Sequence, residues 1–292
     1  MDNINYTFII PHKNSPQLLQ QCINSIPRRN DIQIIIVDDN SNIDIVDFEH
    51  FPGIHENNIE VFFTKEGKGA GYARNIGLKH ARGKWLLFAD ADDYYNTNFI
   101  QILDKHINKT YDIIFFKVSS NIEGQYNRSL RNNKAIDQFQ NGEIHLNELK
   151  FLHWQPWNKM ISREFIVKHK INFDEIPIGN DAFFSLKAAE KTNNIYTIND
   201  EIYCNTFNKQ SITYRKSNFQ REISLLDINL RINKFLRSQN LSKHQMRIIG
   251  KIFSIFREYK TKDFIFYLEY IHKKDSLFNI IKHNLYRILH LY

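Results

Sequence analysis

The stretch WLLFADADD, from Trp85 to Asp93, combines a short apolar run with three carboxylates in four residues. An uninterrupted run of aromatic and aliphatic residues is typical of a strand that is buried on both faces of a sheet. Ligands of open α/β sheets bind beyond the carboxyl ends of the strands, where Asp90, Asp92 and Asp93 would lie. Two acids separated by one residue can also share a hard divalent cation with substrate phosphates. A solvated acidic turn would have the same sequence, so the surrounding chain has to distinguish the two interpretations.

Apolar runs alternate with helical patterns over the first 120 residues. In chain order, the patterns predict strands at 6–10, 32–37, 59–63, 85–90 and 112–118. They also predict three helices: one begins at Pro16, one ends near Ala81, and one extends over 97–108. Strands that alternate with helices are typical of a parallel sheet covered by helices. We therefore predict an α/β fold with a mostly parallel sheet flanked by helices. The polar stretch 121–149 has no clear period and is interpreted as a loop or extra edge strands.

The bulk composition indicates a globular protein in a reducing compartment. Of the 292 residues, 42% are hydrophobic and 24% are charged, which argues against global disorder. The two cysteines, Cys22 and Cys204, are far apart and have no metal-ligand spacing, so no disulfide framework is predicted. The sequence contains no signal-peptide pattern and no apolar run of the roughly 20 residues that cross a bilayer. We expect a cytoplasmic protein.

Positive charge is concentrated near the C-terminal end of the chain. Residues 217–292 contain 14 basic and 6 acidic side chains, whereas residues 1–216 contain 25 and 26. With the helical pattern that starts at Phe219, this predicts an α/β domain over 1–216 and a basic amphipathic helical extension over 217–292. Such helices indicate peripheral contact with a membrane surface, but a lid on the first domain or a homodimer interface would have the same pattern. No nucleic-acid-binding module accompanies the charge, so no nucleic-acid partner is expected.

A glycine-rich stretch at 65–71 precedes the helix that is predicted to end near Ala81. Three glycines in five residues permit a close approach of the backbone, and the start of a helix can bind an anion. Lys68 and Arg74 add positive charge. The phosphate-binding loop of nucleotide hydrolases and the dinucleotide fingerprint are both absent. A flexible turn, with Arg74 on a packed helix face, is the alternative.

Four segments occur in an order and at spacings that resemble a known family. They are FIIP at Phe8–Pro11, IVDDNS at Ile36–Ser41, GYARNIGL at Gly71–Leu78 and FADADD at Phe88–Asp93. Together they resemble the family 2 glycosyltransferases, which are inverting enzymes with the GT-A nucleotide-sugar fold. The likeness extends over about residues 4–215. It implies that the α/β domain is Rossmann-like and catalytic.

The resemblance implies nucleotide-binding roles for residues that follow the first two strands. The backbone of Pro11 would lie against the nucleotide base, and Asp39 corresponds to the acid that accepts a hydrogen bond from uracil. Lys68 and Arg74 are candidate contacts of the diphosphate. Asp38 is interpreted as the cap of a turn rather than as a base-binding residue.

Asp90–Ala91–Asp92 resembles the DXD motif of the family. Asp92 would be the direct ligand of Mn²⁺ or Mg²⁺, and Asp90 would lie near the ribose or a metal-bound water. A divalent cation and nearby basic groups offset the negative charge that develops on a diphosphate leaving group. Asp93 is expected to face the acceptor or to support the metal ligands from behind. The stretch 211–216 resembles a loop that closes over the diphosphate.

The resemblance also implies an acceptor site and a catalytic base. Trp154 and Trp157 belong to a tryptophan-asparagine-lysine segment and are expected to frame the acceptor, although Trp157 could equally be a core residue. Asp181 corresponds to the base that takes the proton of the acceptor hydroxyl. Asn180 stands where the family usually has glutamate. The alternative is that Asn180 or Asp181 caps the helix that begins near Ala182.

The implied reaction is an inverting, metal-dependent transfer of a sugar, UDP-linked in this interpretation, to a hydroxyl of a saccharide or lipid-linked saccharide. Capsule or lipopolysaccharide assembly, at the inner face of the cell membrane, is the implied setting. One alternative is a non-catalytic nucleotide-sugar-binding or scaffold protein, because Asn180 replaces an acid. Another is a phosphatase with an aspartate nucleophile, because of Asp90 and Asp92, although such a pair usually follows the first strand.

Overall fold

The computed structural model describes residues 4–121, 128–206, 218–276, 278–282 and 285. The chain forms two compact units, Met1–Lys209 and Gln210–Tyr292. The stretch 211–216, which is predicted to close over a diphosphate, and the predicted domain boundary after residue 216 lie outside the described residues.

The first unit is built around an eight-stranded mixed sheet. The strands are β1 Tyr6–His12, β2 Ile32–Asp39, β3 Ile59–Thr64, β4 Trp85–Phe88, β5 Tyr94–Tyr95, β6 Ile113–Ser120, β7 Lys159–Ser162 and β8 Ile195–Asn205. Their order across the sheet is β3-β2-β1-β4-β7-β6-β8-β5. The first four neighbours are parallel, as are β6 and β8, whereas β7 and β5 run antiparallel to their partners. The predicted α/β fold is confirmed.

The central strands are hydrophobic along their length because both faces of the sheet are covered. In β2, Ile34 and Ile36 pack into one core cluster, while Ile35 and Val37 pack into another. Successive side chains of a strand point to opposite faces, so two cores require an unbroken apolar run rather than an alternating one.

Strand β1 continues through Pro11, where the sequence pattern places its end. The carbonyl of Ile9 accepts a hydrogen bond from the N–H of Ala89, so Ile9 faces β4. The backbone nitrogen of Pro11, two residues later, points toward the same neighbouring strand, but the pairing of β1 with β4 ends at Ile9 and Phe88. The missing N–H of proline therefore leaves no sheet hydrogen bond unmade.

Helices connect the strands and cover the sheet. In the described part of the first unit they are α1 Pro16–Asn24, α2 Ala70–His80, α3 Phe99–Asp104, α4 Arg128–Gln140, α5 Leu146–Leu152, α6 Arg163–Lys168 and α7 Ala182–Lys191. Helix α3 is shorter than predicted, because its end continues in turns such as the hydrogen bond from the N–H of His106 to the carbonyl of Leu103.

The interpretation of 121–149 as a loop or edge strands is wrong, since this stretch contributes α4 and α5. A polar residue takes part in packing α4 on the sheet: the side chain of Asn133 is buried and bonds both the N–H and the C=O of Val118 at 2.9 Å. Only Ile136 of this helix is a fully buried apolar residue in the core. A hydrophobic period is therefore hardly visible in the sequence.

The second unit is helical. It contains α8 Phe219–Ser238, a short 3₁₀ helix Ser242–His244, α9 Ile249–Glu258 and α10 Thr261–Lys274. Its core includes Ile223, Leu230, Ile255, Tyr267 and Ile271. Within the described residues, no helix combines the length and the apolar character needed to cross a bilayer.

Candidate functional site

The end of β2 presents a buried carboxylate oxygen without a partner. Asp39 is the last residue of this strand and is 3% exposed. Its Oδ2 accepts a hydrogen bond from the N–H of Gly69 at 2.8 Å, and Nζ of Lys13 lies 3.6 Å away. Its Oδ1 is buried and makes no hydrogen bond. A buried oxygen without a hydrogen bond costs free energy, so Oδ1 of Asp39 can accept a hydrogen bond from a ligand.

The neighbouring Asp38 closes the turn after β2, in agreement with the sequence interpretation. Its carboxylate accepts hydrogen bonds from Nδ1 of His12 at 2.8 Å and from the N–H and hydroxyl of Ser41. His12 Nε2 accepts a hydrogen bond from the N–H of Ser15, which leaves Nδ1 as the donor to Asp38. Burial raises the pKa of the Asp38 carboxyl, but these hydrogen bonds outweigh burial and lower the pKa.

The start of α2 lies against the segment that precedes α7. Gly69 precedes this helix with a φ of +93°, a conformation that glycine adopts without strain. A Cβ atom at Gly71 would lie 2.1 Å from the carbonyl oxygen of Asp174 and 2.9 Å from Cβ of Asn180. Glycine at position 71 is therefore required for this contact.

Arg74 of α2 joins the end of β4 to the residues before α7. Its Nη2 donates to Oδ1 of Asp90 at 2.5 Å, and its Nη1 donates to Oδ1 of Asn180 at 2.8 Å. The side chain is 7% exposed, and its Nε has no partner. Asn180, which departs from the family pattern, thus holds Arg74 beside Asp90.

Two other predicted nucleotide contacts occupy different environments. Pro11 is buried near the end of β1, beside the turn that Asp38 closes. Lys68 lies in the exposed loop before α2, with its Nζ 4.7 Å from the ring centroid of Tyr72. The role of Lys68 as a contact of the diphosphate stays a prediction.

The three acids after β4 differ in exposure. Asp90 and Asp92 are partly exposed, whereas Asp93 is 7% exposed. The Asp93 carboxylate accepts hydrogen bonds from the N–H of Thr206 at 2.7 Å and from Nδ2 of Asn205 at 3.0 Å. Burial and the negative charges of Asp90 and Asp92 raise the pKa of Asp93 to about 7. Of the two roles expected for Asp93, this buried hydrogen-bond network favours support of the neighbouring acids over contact with the acceptor.

Tyr203 connects this network to the backbone of the acidic stretch. Its hydroxyl accepts from the N–H of Asp90 and donates to Oδ2 of Asp93, both at 2.9 Å. The ring of Trp157 stacks on Tyr203 with centroids 5.2 Å apart, and Trp157 is 8% exposed. Trp157 is therefore a core residue, as the alternative interpretation had it. Sequence reasoning missed Tyr203, although it lies in the short apolar run Ile202–Cys204, which is typical of a strand.

Trp154 lies at a partly exposed position between α5 and β7. Its Nε1 donates to the carbonyl of Phe151 at 2.6 Å, and its own carbonyl accepts from the hydroxyl of Ser185 in α7. These bonds fix the indole ring close to the helix that Asp181 precedes.

Asp181 occupies the position before α7, but its side chain makes no capping hydrogen bond. Burial raises the pKa of its carboxyl; the positive charge of Arg74 opposes this shift and the negative charge of Asp90 adds to it. The nearby Lys159 is buried and donates to the carbonyls of His153 and Gln155. Burial lowers the pKa of Lys159 to about 7, against the pull of Asp181. The side chain of Asp181 therefore does not cap α7, and its role as a base stays a prediction.

The acids after β4 fit a divalent cation only in combination with ligand oxygens. Within the described residues, no group of three or more His, Cys, Asp or Glu side chains is arranged to hold a metal. Asp90 and Asp92 offer hard carboxylate oxygens, and their charges act on Asp93. Mg²⁺ and Mn²⁺ suit one or two carboxylates completed by phosphate and water oxygens, so the donor set fits such an ion.

The sequence that forms this fold and site matches the model of a known protein family. A family model described as "Glycosyl transferase family 2" matches residues 7–169, which is more than half of the chain. The chain therefore belongs to glycosyl transferase family 2. Membership in this family gives no support to the alternative of a phosphatase with an aspartate nucleophile. In addition, Asp90 and Asp92 follow the fourth strand instead of the first.

Curated relatives share part of their length with this chain. The uncharacterized glycosyltransferase EpsJ of Bacillus subtilis (strain 168) is 28% identical over 216 residues, which cover 71% of this chain and 62% of EpsJ. The poly(ribitol-phosphate) beta-N-acetylglucosaminyltransferase TarS of Staphylococcus aureus (strain MW2) is 23% identical over 208 residues, which cover 68% of this chain and 35% of TarS. The chain thus spans less than two thirds of each of these relatives.

Solved structures share the fold. S. aureus TarS 1-349 in complex with UDP-GlcNAc matches 93% of this chain and 82% of its own, with a TM-score of 0.66 and 20% identity. The mannosyltransferase PcManGT from Pyrobaculum calidifontis, in complex with GDP-Man and Mn²⁺, matches 99% and 81% with a TM-score of 0.54 and 14% identity. The predicted GT-A fold is confirmed by the likeness to TarS.

Proposed function

We propose that this protein is an inverting, metal-dependent glycosyltransferase that moves a sugar from a UDP-sugar to a hydroxyl of a saccharide or lipid-linked saccharide. The observation that carries the proposal is the buried, unpaired Oδ1 of Asp39 at the carboxyl edge of the sheet. Similarity to TarS, whose structure holds UDP-GlcNAc, supports a uridine donor.

Asp39 binds the base of the donor. Its Oδ2 is held by the N–H of Gly69, which leaves Oδ1 to accept a hydrogen bond from the N–H of a uracil ring. The backbone of Pro11 lies against the base. Adenine has no ring N–H on its base-pairing edge, so this acceptor suits uracil better than adenine.

The acids after β4 hold the diphosphate end of the donor. Asp92 is the direct ligand of Mn²⁺ or Mg²⁺, and Asp90 approaches the ribose or a water of the cation. The cation supplies positive charge to the diphosphate as the leaving group departs. Arg74 fixes the Asp90 carboxylate through its hydrogen bond, and Lys68 of the exposed loop is a further contact of the diphosphate. The similarity to PcManGT, whose structure was solved with Mn²⁺, supports the proposal that this site binds a divalent cation.

Asp181 is the catalytic base. Inversion requires that the acceptor hydroxyl loses its proton while it attacks the face of the sugar opposite the diphosphate. The raised pKa makes Asp181 a stronger base than an ordinary carboxylate, and its side chain makes no capping hydrogen bond to α7. Trp154, fixed beside α7, contributes an aromatic surface for the acceptor sugar.

The acceptor belongs to a cell-surface polymer, and the second unit contacts the membrane. Relatives include TarS, whose name states a poly(ribitol-phosphate) acceptor. Large apolar side chains of the second unit are exposed: Phe253, Phe256, Ile265, Phe266, Phe278, Ile281 and Leu285. Exposed aromatic and aliphatic residues on a basic helical unit suit peripheral binding to an anionic bilayer.

The proposal is tested by a screen of nucleotides. Thermal stabilisation and Mn²⁺-dependent hydrolysis are measured with UDP-sugars, GDP-sugars and free UDP. We expect UDP compounds to stabilise the protein in the presence of metal and one UDP-sugar to be hydrolysed. No response to any UDP compound with metal present would contradict the donor assignment.

A non-catalytic nucleotide-sugar-binding protein is the second candidate, because Asn180 replaces an acid and binds Arg74. It predicts UDP binding without turnover of any sugar donor. Replacement of Asp181 by Asn distinguishes the two: an enzyme loses acceptor-dependent turnover and retains UDP affinity, whereas a binding protein has no turnover to lose.

A further inference from the structure

The first unit contains a groove of about 820 Å³ beside β5, the two-residue strand at the edge of the sheet. The residues that line it come from the end of α1, from β5 and α3, and from β6 and β8. Asp39, Asp92, Trp154 and Asp181 do not line it, so the groove is distinct from the proposed donor and catalytic residues. Its volume lies within the range of small-ligand sites.

Aromatic side chains form part of the wall of the groove. Tyr95 and Phe99 are buried, and their rings stack with centroids 4.5 Å apart. The hydroxyl of Tyr95 donates to the carbonyl of Phe88 at 2.9 Å, which ties this ring to β4. The ring of Tyr94 is partly exposed. The groove therefore offers a ligand ordered apolar surface.

Polar groups of the groove are available to a ligand. Nδ2 of Asn96 donates to the carbonyl of Glu201 at 2.9 Å, and its Oδ1 accepts from the hydroxyl of Ser119 at 3.0 Å. The fixed amide of Asn96 keeps one N–H and one lone pair for a ligand. Thr97 and Gln101 are exposed, and neither side chain has a hydrogen-bond partner among the described residues.

The charge of the groove does not suit an anion or a metal ion. Among the described residues that line it, there is no lysine, arginine or histidine, and Glu201 is the single acid. The exposed carboxylate of Glu201 repels phosphate and carboxylate groups. One carboxylate is also a poor site for a divalent cation, which needs several oxygen ligands.

The polar groups also argue against an apolar ligand and a peptide strand. An apolar ligand would remove these groups from water without replacing their hydrogen bonds, which costs free energy. A peptide could extend the sheet only along β5, which has two residues. The N–H of Tyr95 in this strand already donates to the hydroxyl of Ser25 at 3.0 Å.

We propose that this groove binds a neutral saccharide. The C–H groups of a sugar ring can pack on the aromatic side chains, and its hydroxyl groups both donate and accept hydrogen bonds. The amides of Asn96 and Gln101 and the hydroxyl of Thr97 also offer both donors and acceptors. The proposal does not depend on the transferase activity, since none of the proposed donor or catalytic residues named above lines the groove.

The test compares two double variants of the full chain that remove the same polar groups. Thr97→Ala/Gln101→Ala changes the groove, and Thr110→Ala/Gln17→Ala changes two exposed residues that do not line it. Binding of maltotriose and of triacetylchitotriose is measured by NMR titration of the ¹⁵N-labelled proteins. We expect the groove variant to weaken binding of at least one trisaccharide about tenfold and the control to change it less than about twofold.

A competition with UDP and Mg²⁺ separates the groove from the donor site. Saturating UDP and Mg²⁺ should leave the affinity of the wild type for the trisaccharide unchanged within about twofold. Saccharide binding in the groove by a protein that binds no UDP would contradict the proposed donor site and support the present proposal.

Three results would overturn the proposal. They are no binding of either trisaccharide to the wild type, equal losses of affinity in the two double variants, and displacement of the trisaccharide by UDP and Mg²⁺. The first and the third use the wild type alone, so they remain decisive if a variant fails to fold.

Discussion

The ends of β2 and β4 have the same kind of sequence, an apolar strand followed by closely spaced acids, but they use those acids in a different order. After β2 the first acid, Asp38, is enclosed by hydrogen bonds, and Oδ1 of the second, Asp39, has no partner. After β4 the last acid, Asp93, is enclosed, and Asp90 and Asp92 are partly exposed. In each group, one carboxylate is enclosed by hydrogen bonds that hold the loop.

The two enclosed carboxylates also differ in their electrostatic surroundings. Both are buried, but hydrogen bonds lower the pKa of Asp38, whereas burial and the charges of Asp90 and Asp92 raise that of Asp93 to about 7. The end of β4 therefore brings three carboxylates close together and suits a cation. The end of β2 carries one unpaired oxygen and suits a hydrogen-bond donor.

The largest expected effect is the loss of turnover on replacement of Asp92 by Ala. Removing a direct metal ligand should lower metal-dependent kcat about a thousandfold or more, because the leaving group loses its stabilising charge. The midpoint of thermal unfolding should stay close to that of the wild type. Asp44→Asn, at an exposed acid after β2, is the control and should retain full activity. A folded, fully active Asp92→Ala protein would refute the metal assignment.

Replacement of Asp39 by Asn should weaken UDP binding by about tenfold to a hundredfold, the cost of losing a hydrogen bond to a charged acceptor. The protein should remain folded, since the amide oxygen of the variant can still accept the hydrogen bond from the N–H of Gly69. Calorimetry with UDP and Mg²⁺ measures the affinity, again with Asp44→Asn as the control.

Replacement of Asp38 by Asn should change stability rather than chemistry. The folded-state pKa of Asp38 lies below its ordinary value of 3.8, so its stabilising contribution is present above about pH 4 and is lost as the pH falls through the folded-state value. At pH 7 the variant should lose about 1–3 kcal/mol of unfolding free energy. Urea unfolding of both proteins at pH 7 and pH 3 measures this difference, which should shrink in acid. A constant difference would contradict the assigned hydrogen bonds.

The smallest effect is expected for Asp93→Asn. The amide keeps one acceptor for Tyr203, Asn205 or Thr206 and removes a buried charge that Asp90 and Asp92 repel. The loss of unfolding free energy at pH 7 should therefore be about 1 kcal/mol or less, below that of Asp38→Asn. Urea unfolding at pH 7 tests the order of the two variants, and a larger loss for Asp93→Asn would reverse our comparison.

The sequence predicted the strands that carry these acids because a sheet with two covered faces requires long apolar runs. It also placed Asp39 at the end of β2 and the acids after β4. The partners could not be predicted, since Tyr203 and Arg74 reach Asp90 from 113 and 16 positions away in the chain. Such contacts follow from the packing of distant elements and leave no periodic pattern.

Polar packing explains the other differences. Helix α4 was missed because the buried amide of Asn133 takes the place of an apolar contact. From the sequence alone, Trp157 could lie either beside an acceptor or in the core. Its ring stacks on Tyr203, so it lies in the core. Asn180, unexpected in an acidic position, is explained only by its bond to Arg74.

The central claim is that Oδ1 of Asp39 accepts a hydrogen bond from the base of the donor. Proton NMR of ¹⁵N-labelled UDP, bound to the protein with Mg²⁺, observes the ring N–H directly. We predict a ring N–H signal that is shifted downfield and protected from exchange in the wild type and in Asp44→Asn, and absent in Asp39→Asn. The same protected signal in Asp39→Asn, or none in the wild type with UDP bound, would contradict the claim.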